Sequence, residues 1–213
     1  SSVWVNGMEL VRDKQLVNMD LSAEKAALLA QMVIRYEDGT EELFVTDESW
    51  SGADAPVVFA EIYDGEIYDG AKEIKGWSEA GCTAGQWKPV RKLDYDFSVL
   101  TGQGSGKVSL MDEVKPKEIF ETPEGDLVID FGQNMSALIQ VTATGKKGDV
   151  IRLDCFEVLD SKGNVYLDNL RGAKESLQYT FGEDGTITYR PSFTFMGFRY
   201  AKIVSFPGTP EPG

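Results

Sequence analysis

Residues 61–70, with the sequence EIYDGEIYDG, are the densest group of side chains able to do chemistry in this protein. If the segment forms a β-strand, alternate side chains share a face, so Asp64, Glu66 and Tyr68 lie together. Carboxylates can hydrogen-bond sugar hydroxyls and bind calcium, and tyrosine rings can stack on sugar faces. The candidate substrate-binding residues are therefore Tyr63, Asp64, Glu66 and Tyr68.

A plainer interpretation of residues 61–70 stays open. The segment can equally be an edge or interface strand whose carboxylates are solvated or paired with arginine. Its spacing lacks the D-x-[DN]-x-[DN]-G-x5-E pattern of a calcium-binding loop. Calcium therefore has little support, and we predict no metal site and no other cofactor.

Catalytic residues are not singled out by the sequence. Histidine is absent, which excludes Ser-His-Asp triads and imidazole metal sites. Glycosidases use two carboxylates at a defined separation, but the 35 Asp and Glu residues allow many such pairs. We therefore assign no catalytic residue.

Composition and charge narrow the classes of partner. Hydrophobic residues make up 42% and charged residues 26%, as in ordinary globular proteins. Lys and Arg number 21 against 35 Asp and Glu, so the net charge is 21 − 35 = −14, which disfavours nucleic acid. No apolar run approaches the roughly 20 residues of a membrane span. We predict neither a nucleic-acid nor a membrane partner.

The cysteines and the chain ends leave the compartment open. Cys82 and Cys155 form no CxxC motif, and two free thiols are favoured over a disulfide. The first residues show no signal-peptide pattern, and the last seven, PGTPEPG, are typical of a linker. We expect a piece of a longer protein, either cytoplasmic or exported.

Short strands separated by glycine turns dominate the rest of the sequence. Residues 30–36 and 41–46 flank an Asp-Gly turn and predict a hairpin, and similar β-rich runs recur from residue 126 to 204. Only residues 22–31 have helical character. The glycine-rich segment 101–107 predicts a connector. The pattern indicates a mainly β protein of two antiparallel β-sandwich, jelly-roll-like domains, residues 1–100 and 101–213.

Several motifs occur in the order found in one known family. They are TDESW at 46–50, IYDGEIYD at 62–69, DFGQNM at 130–135, NLR at 169–171 and PSFTFMGFRY at 191–200. In this the sequence resembles bacterial alpha-L-rhamnosidases over residues 26–208. The resemblance implies a truncated galactose-binding-like N-terminal domain, residues 1–100, followed by a concanavalin-like β-sandwich, residues 101–213.

The resemblance also implies what the chain does and lacks. Family members hydrolyse terminal alpha-L-rhamnosides by inversion, with catalytic carboxylates in an (α/α)6 barrel that follows these two domains. No run of amphipathic helices suggests that barrel here, and Met196 replaces the family's histidine. We expect a non-catalytic fragment that supports the barrel of its parent chain and helps shape substrate access. The alternative is a stand-alone carbohydrate-binding module for rhamnose-containing glycans.

Four polar residues of these motifs are candidates for a domain interface. The side-chain amides of Gln133 and Asn134 can satisfy backbone groups across a domain junction. Arg171 and Arg199 can pair with the acidic residues of segment 64–69.

Overall fold

The computed structural model describes residues 27–94, 96–102, 104, 106 and 109–212. These form two compact units. One contains the described residues before Ala55 and those of Ile74–Ser109, and the other contains Ala55–Glu73 and the residues from Leu110 onward. None of the helices in the described ranges is long and apolar enough to cross a membrane.

The described residues are mainly β, as predicted. Three short 3-10 helices span Gly70–Lys72, Phe97–Val99 and Asp168–Leu170. The strands are β1 Gln31–Arg35, β2 Glu41–Val45, β3 Ser51–Gly52, β4 Val57–Glu61, β5 Gly65–Asp69, β6 Lys88–Pro89, β7 Glu118–Glu121, β8 Leu127–Ala137, β9 Val141–Gly145, β10 Val150–Phe156, β11 Val158–Leu159, β12 Val165–Tyr166, β13 Ser176–Thr180, β14 Gly185–Tyr189 and β15 Met196–Ser205.

The described residues of the first unit form two small antiparallel pairs. Strands β1 and β2 form the predicted hairpin, with Gln31 opposite Val45 and Arg35 opposite Glu41. Gly39 in its turn has φ +85°, a conformation that favours glycine. Strands β3 and β6 pair through two residues each.

The second unit is built on one seven-stranded sheet with the order β4-β5-β13-β10-β15-β8-β7. Its described pairs are antiparallel except for β5 and β13, which are parallel. The β9–β14 pair packs against one face of this sheet, since Ala143 and Tyr189 join the main hydrophobic core. A second, smaller core holds Val128, Phe156 and Tyr200.

Alternation along the central strands explains these cores. On β10 the side chains of Ile151, Leu153 and Cys155 are at most 1% exposed, while Val150, Arg152 and Asp154 between them are half-buried. Phe156, at the end of the strand, is fully buried in the smaller core. Strand β13 repeats the pattern with Leu177 and Tyr179. Burying such side chains stabilises the fold by about 1.5–3 kcal/mol each.

The sequence analysis placed segment 55–73 in the first domain and did not predict that it would join the second unit. It precedes residue 100, yet its strands β4 and β5 complete the sheet of the second unit. The division at residues 100 and 101 stays a prediction about family domains. Both cysteines are free thiols, as favoured. The predicted helical segment 22–31 lies largely outside the described residues, and Gln31 begins β1.

Candidate functional site

The acidic segment is a hairpin, so the single strand on which the shared face of Asp64, Glu66 and Tyr68 depended is not formed. Strand β4 ends at Glu61, a turn covers residues 62–64, and β5 begins at Gly65. The turn is closed by the Glu61 carboxylate, which accepts the N–H groups of Tyr63 and Asp64 at 2.6 and 2.8 Å. Gly65 has φ +100°, and a Cβ there would overlap the backbone of Ser176.

Glu66 is a buried anchor for the segment that precedes β15. Its side chain is 1% exposed, and one carboxylate oxygen accepts the Tyr189 hydroxyl at 2.7 Å. The other oxygen accepts the N–H groups of Ser192 and Phe193 at 3.0 and 2.8 Å. Both oxygens are therefore occupied within the fold, which suits a structural role for Glu66.

Asp64 and Tyr68 are also held by neighbours. The Asp64 carboxylate, 2% exposed, pairs with the Lys174 ammonium at 2.6 Å. Tyr68 donates its hydroxyl to Glu73 at 2.7 Å, and its ring stacks on Tyr179 with 5.2 Å between centroids. Burial, followed by the Glu73 hydrogen bond, raises the pKa of Tyr68 above its ordinary value.

Tyr63 differs from the other three candidates because its side chain is 52% exposed. An open hollow of about 390 Å³ lies beside Tyr68 and is lined in part by Glu73, Arg190 and Ser192. A carboxylate, a guanidinium and hydroxyls are groups that hydrogen-bond sugars. The binding of a glycan at the four candidates stays a prediction.

The 130–135 motif forms a bulge inside β8. Met135 pairs with Phe198 and Asp130 with Tyr200, so four residues of β8 face Arg199 alone. Gly132, at φ +82°, donates its N–H to the Asp130 carboxylate at 2.6 Å. The bulge leaves Gln133 and Asn134 exposed.

Arg199 closes this bulge, and its predicted pairing with segment 64–69 was wrong. Its guanidinium donates to both Asp130 oxygens, from Nε and Nη2, at 2.9 Å each. The Asp130 side chain is 5% exposed. The Arg199 hydrogen bonds hold the pKa of Asp130 below its usual range. Among the described residues, Lys174 pairs with Asp64 of this segment, and the sequence analysis missed Lys174.

The exposed amide of Asn134 belongs to a second polar cluster. Its Nδ2 donates to one oxygen of Glu157 at 3.1 Å, and the Nδ2 of Asn169 donates to the other at 2.7 Å. The structure thus brings together Asn134 of DFGQNM and Asn169 of NLR. Sequence reasoning missed Glu157, although it directly follows the buried strand β10.

Glu175 lies beside this cluster and was also missed. Burial and then the nearby Glu157 charge raise its pKa to about 7, against a hydrogen bond from the Gly197 N–H that lowers it. Glu175 has a positive φ of +45°. Arg171, one of the predicted interface residues, also has a positive φ, +58°. No group of three or more Asp, Glu, Cys or His in the described ranges could hold a metal ion.

Comparison with known proteins agrees with this architecture. The family model of the alpha-L-rhamnosidase N-terminal domain matches residues 3–112. That of the bacterial alpha-L-rhamnosidase concanavalin-like domain matches residues 120–213. The chain therefore belongs to the alpha-L-rhamnosidase family, and within it to these two β domains.

Individual relatives carry the same name over a limited stretch. An alpha-L-rhamnosidase of Streptomyces avermitilis is 38% identical over 88% of this chain and 18% of its own length. Its crystal structure with L-rhamnose superposes with a TM-score of 0.78, over 85% of this chain and 18% of that one. The Aspergillus terreus alpha-L-rhamnosidase structure gives a TM-score of 0.77 at 32% identity, covering 86% and 21%. The chain spans about a fifth of the relatives that it matches.

Proposed function

We propose that this chain is a non-catalytic accessory fragment of an alpha-L-rhamnosidase, which supports the (α/α)6 catalytic barrel of its parent chain. The carrying observation is the match to two β domains that make up about a fifth of the relatives' length. The helices of the described residues have three residues each, too short for any part of such a barrel. The parent enzyme would hydrolyse terminal alpha-L-rhamnosides by inversion.

The polar bulge supports a structural role in that parent. The Asp130–Arg199 pair fixes a bulge that leaves Gln133 and Asn134 exposed on the surface. Exposed amides on a rigid backbone are suited to satisfying the backbone groups of an adjoining domain. We therefore expect the surface around Gln133 and Asn134 to contact the barrel. Through this contact the fragment would help shape access to the substrate site.

Hydrolysis of p-nitrophenyl alpha-L-rhamnoside tests the proposal. We expect the purified 213-residue protein to release no nitrophenol and the parent chain to release it. Deleting this segment from the parent should lower the melting temperature of the remaining chain. Turnover by the 213-residue protein alone, at a rate that survives repurification, would refute the accessory role.

The hollow beside Tyr68 favours a second candidate, a module that binds rhamnose-containing glycans. Calorimetric titration with L-rhamnose, with and without calcium, separates the two. The accessory role predicts no saturable heat. Saturable heat that disappears in Glu73→Gln, with Glu121→Gln on β7 as a control, would favour the binding module.

A further inference from the structure

Glu175 is held in a costly conformation at the start of β13. Its N–H donates to the carbonyl of Tyr63 at 3.0 Å, and its own carbonyl accepts the N–H of Cys155 at 2.9 Å. These bonds keep it at φ +45°, a conformation that non-glycine residues rarely adopt and that often marks a functional position.

The carboxylate of Glu175 lacks a full set of partners within the described residues. The backbone N–H of Gly197 acts to lower its pKa. Its Oε2 oxygen is buried and has no hydrogen-bond donor within the described ranges. A buried acceptor without a donor is costly and calls for an explanation.

Glu157 adds a second negative charge close to Glu175. Its two oxygens accept hydrogen bonds from the amides of Asn134 and Asn169, which hold it near Glu175. Among the described ion pairs, none joins a lysine or arginine to Glu157 or Glu175. The two carboxylates therefore form a site of negative charge that this part of the protein leaves unmatched.

Three exposed aromatic residues lie in the β4–β5 hairpin turn or in the segment that hydrogen-bonds to this hairpin, and the turn itself accepts the Glu175 N–H. Tyr63 lies in the turn, and Phe193 donates its N–H to Glu66 on β5. Phe195 follows Thr194, which donates its hydroxyl to the carbonyl of Glu61 at 3.0 Å. Their exposed fractions are 52% for Tyr63, 37% for Phe193 and 52% for Phe195. We call these three aromatic residues with Glu157 and Glu175 the hairpin-tip surface.

We propose that the hairpin-tip surface binds the remaining part of the parent chain, and that an arginine or lysine side chain of that part pairs with Glu175. This inference rests on the proposed function, which supplies the occupant: relatives are about five times as long as the matched segment. Charge complementarity decides its chemistry, because a cation beside Glu157 and Glu175 offsets the charge of both carboxylates. The aromatic rings add apolar area and cation–π contacts.

Opposite effects of one substitution in two chains test the inference. Glu175→Gln removes an unmatched charge from the 213-residue protein, so its melting temperature at pH 8 should rise, by about 2–4 °C for a domain of this size. In the parent chain the same change removes an ion pair, and the transition of this segment should fall by about as much. Asp126→Asn is the matched control: Asp126 pairs with Lys202 at 2.7 Å within the unit, so both chains should lose stability alike.

A second variant tests the surface without the charge. Phe195→Ser should leave the 213-residue protein unchanged and lower the transition of the parent chain. A rise with Glu175→Gln in both chains would overturn the inference. So would a Glu175-dependent stabilisation of the 213-residue protein by millimolar calcium chloride, which would identify a free ion as the ligand. Failure of the proposed function has a different signature: the wild-type segment would melt at the same temperature in both chains.

Discussion

Removing the guanidinium of Arg199 should destabilise the second unit far more than removing a comparable surface cation. Arg199→Met keeps the apolar stem but withdraws two charged hydrogen bonds from Asp130, whose side chain is 5% exposed. Breaking a fully buried pair costs about 3–5 kcal/mol. Because the Arg199 side chain is 36% exposed, solvent screens the pair in part, and we expect about 2–4 kcal/mol.

Lys202 provides the matched comparison on the same strand. Its pair with Asp126 has side chains 32% and 27% exposed, so Lys202→Met should cost about 1 kcal/mol or less. Asp130→Asn should fall between the two, since Arg199 can be hydrated when its partner loses its charge. Equal costs for Arg199→Met and Lys202→Met, within about 0.5 kcal/mol, would refute the assignment of Arg199 to the bulge.

The location of the aromatic residues supplies the assay. All four tryptophans precede residue 88 and fall outside segment 55–73, so tryptophan fluorescence does not report on the second unit. The tyrosine cluster of Tyr68, Tyr179 and Tyr189 belongs to the second unit, and near-UV circular dichroism of tyrosine follows its unfolding in urea. The loss should appear in the tyrosine signal and not in the tryptophan signal.

The pH dependence gives a second check on the same pair. Arg199 lowers the folded pKa of Asp130 below the unfolded value of about 3.9. The stability from this shift is complete above the unfolded pKa and is lost as the pH falls through the folded pKa. The difference between wild type and Arg199→Met should therefore shrink in strong acid. A difference that stays constant down to that range would show that the pair contributes no electrostatic stability.

Three further predictions follow from other buried groups. Glu66→Gln turns an amide toward three donors and should cost about 1–3 kcal/mol in urea unfolding, whereas full stability would show that its hydrogen bonds are dispensable. Cys155 is fully buried, with a pKa raised by burial, so a thiol reagent should modify only Cys82 in the native protein and both cysteines in denaturant; equal native rates would contradict the structure. The pKa of Glu175 is about 7 in the fold against 4.5 for the ordinary group, so stability should fall as the pH rises from about 4.5 to 7, an effect absent from Glu175→Gln.

Local features of the sequence predicted the secondary structure well. The Asp38-Gly39 turn fixes the β1–β2 hairpin because glycine readily adopts the positive φ that the turn needs. The β-rich runs between residues 126 and 204 predicted strands, and the structure confirms one of them as β10, Val150–Phe156. These signals depend on a few consecutive residues, so they need no knowledge of the rest of the chain.

Alternation failed where the backbone changes register. It predicts that Phe198 and Tyr200 share a face of β15, but Phe198 lies in the main core and Tyr200 in the smaller one. The β8 bulge causes this change, since Ala201 instead of Tyr200 returns to the main core. The 61–70 segment failed for a similar reason: its strand-like composition hides a turn that the Glu61 carboxylate closes.

Partners distant in sequence could not be predicted at all. Glu66 meets Tyr189 across 123 residues, and Asp64 meets Lys174 across 110. The parallel pairing of β5 with β13 places Lys174, just before β13, near Asp64, just before β5, and no local pattern specifies that pairing. Tyr189 lies on β14, which pairs with β9. The family resemblance named Asn134 and Arg199 as candidates, but only the structure separates their roles, one exposed beside Glu157 and the other paired with Asp130.

Asp130 and Glu175 differ in whether the described residues supply a cation to the carboxylate. Both carboxylates contact strand β15 or its backbone, Asp130 through Arg199 and Glu175 through Gly197. The guanidinium and the Gly132 N–H match the first carboxylate completely, and its pKa falls. The second faces another carboxylate and keeps a buried oxygen without a donor, and its pKa rises. Because the described residues supply a cation to Asp130 and none to Glu175 or Glu157, we infer that a cation outside these residues offsets the charge of this second pair.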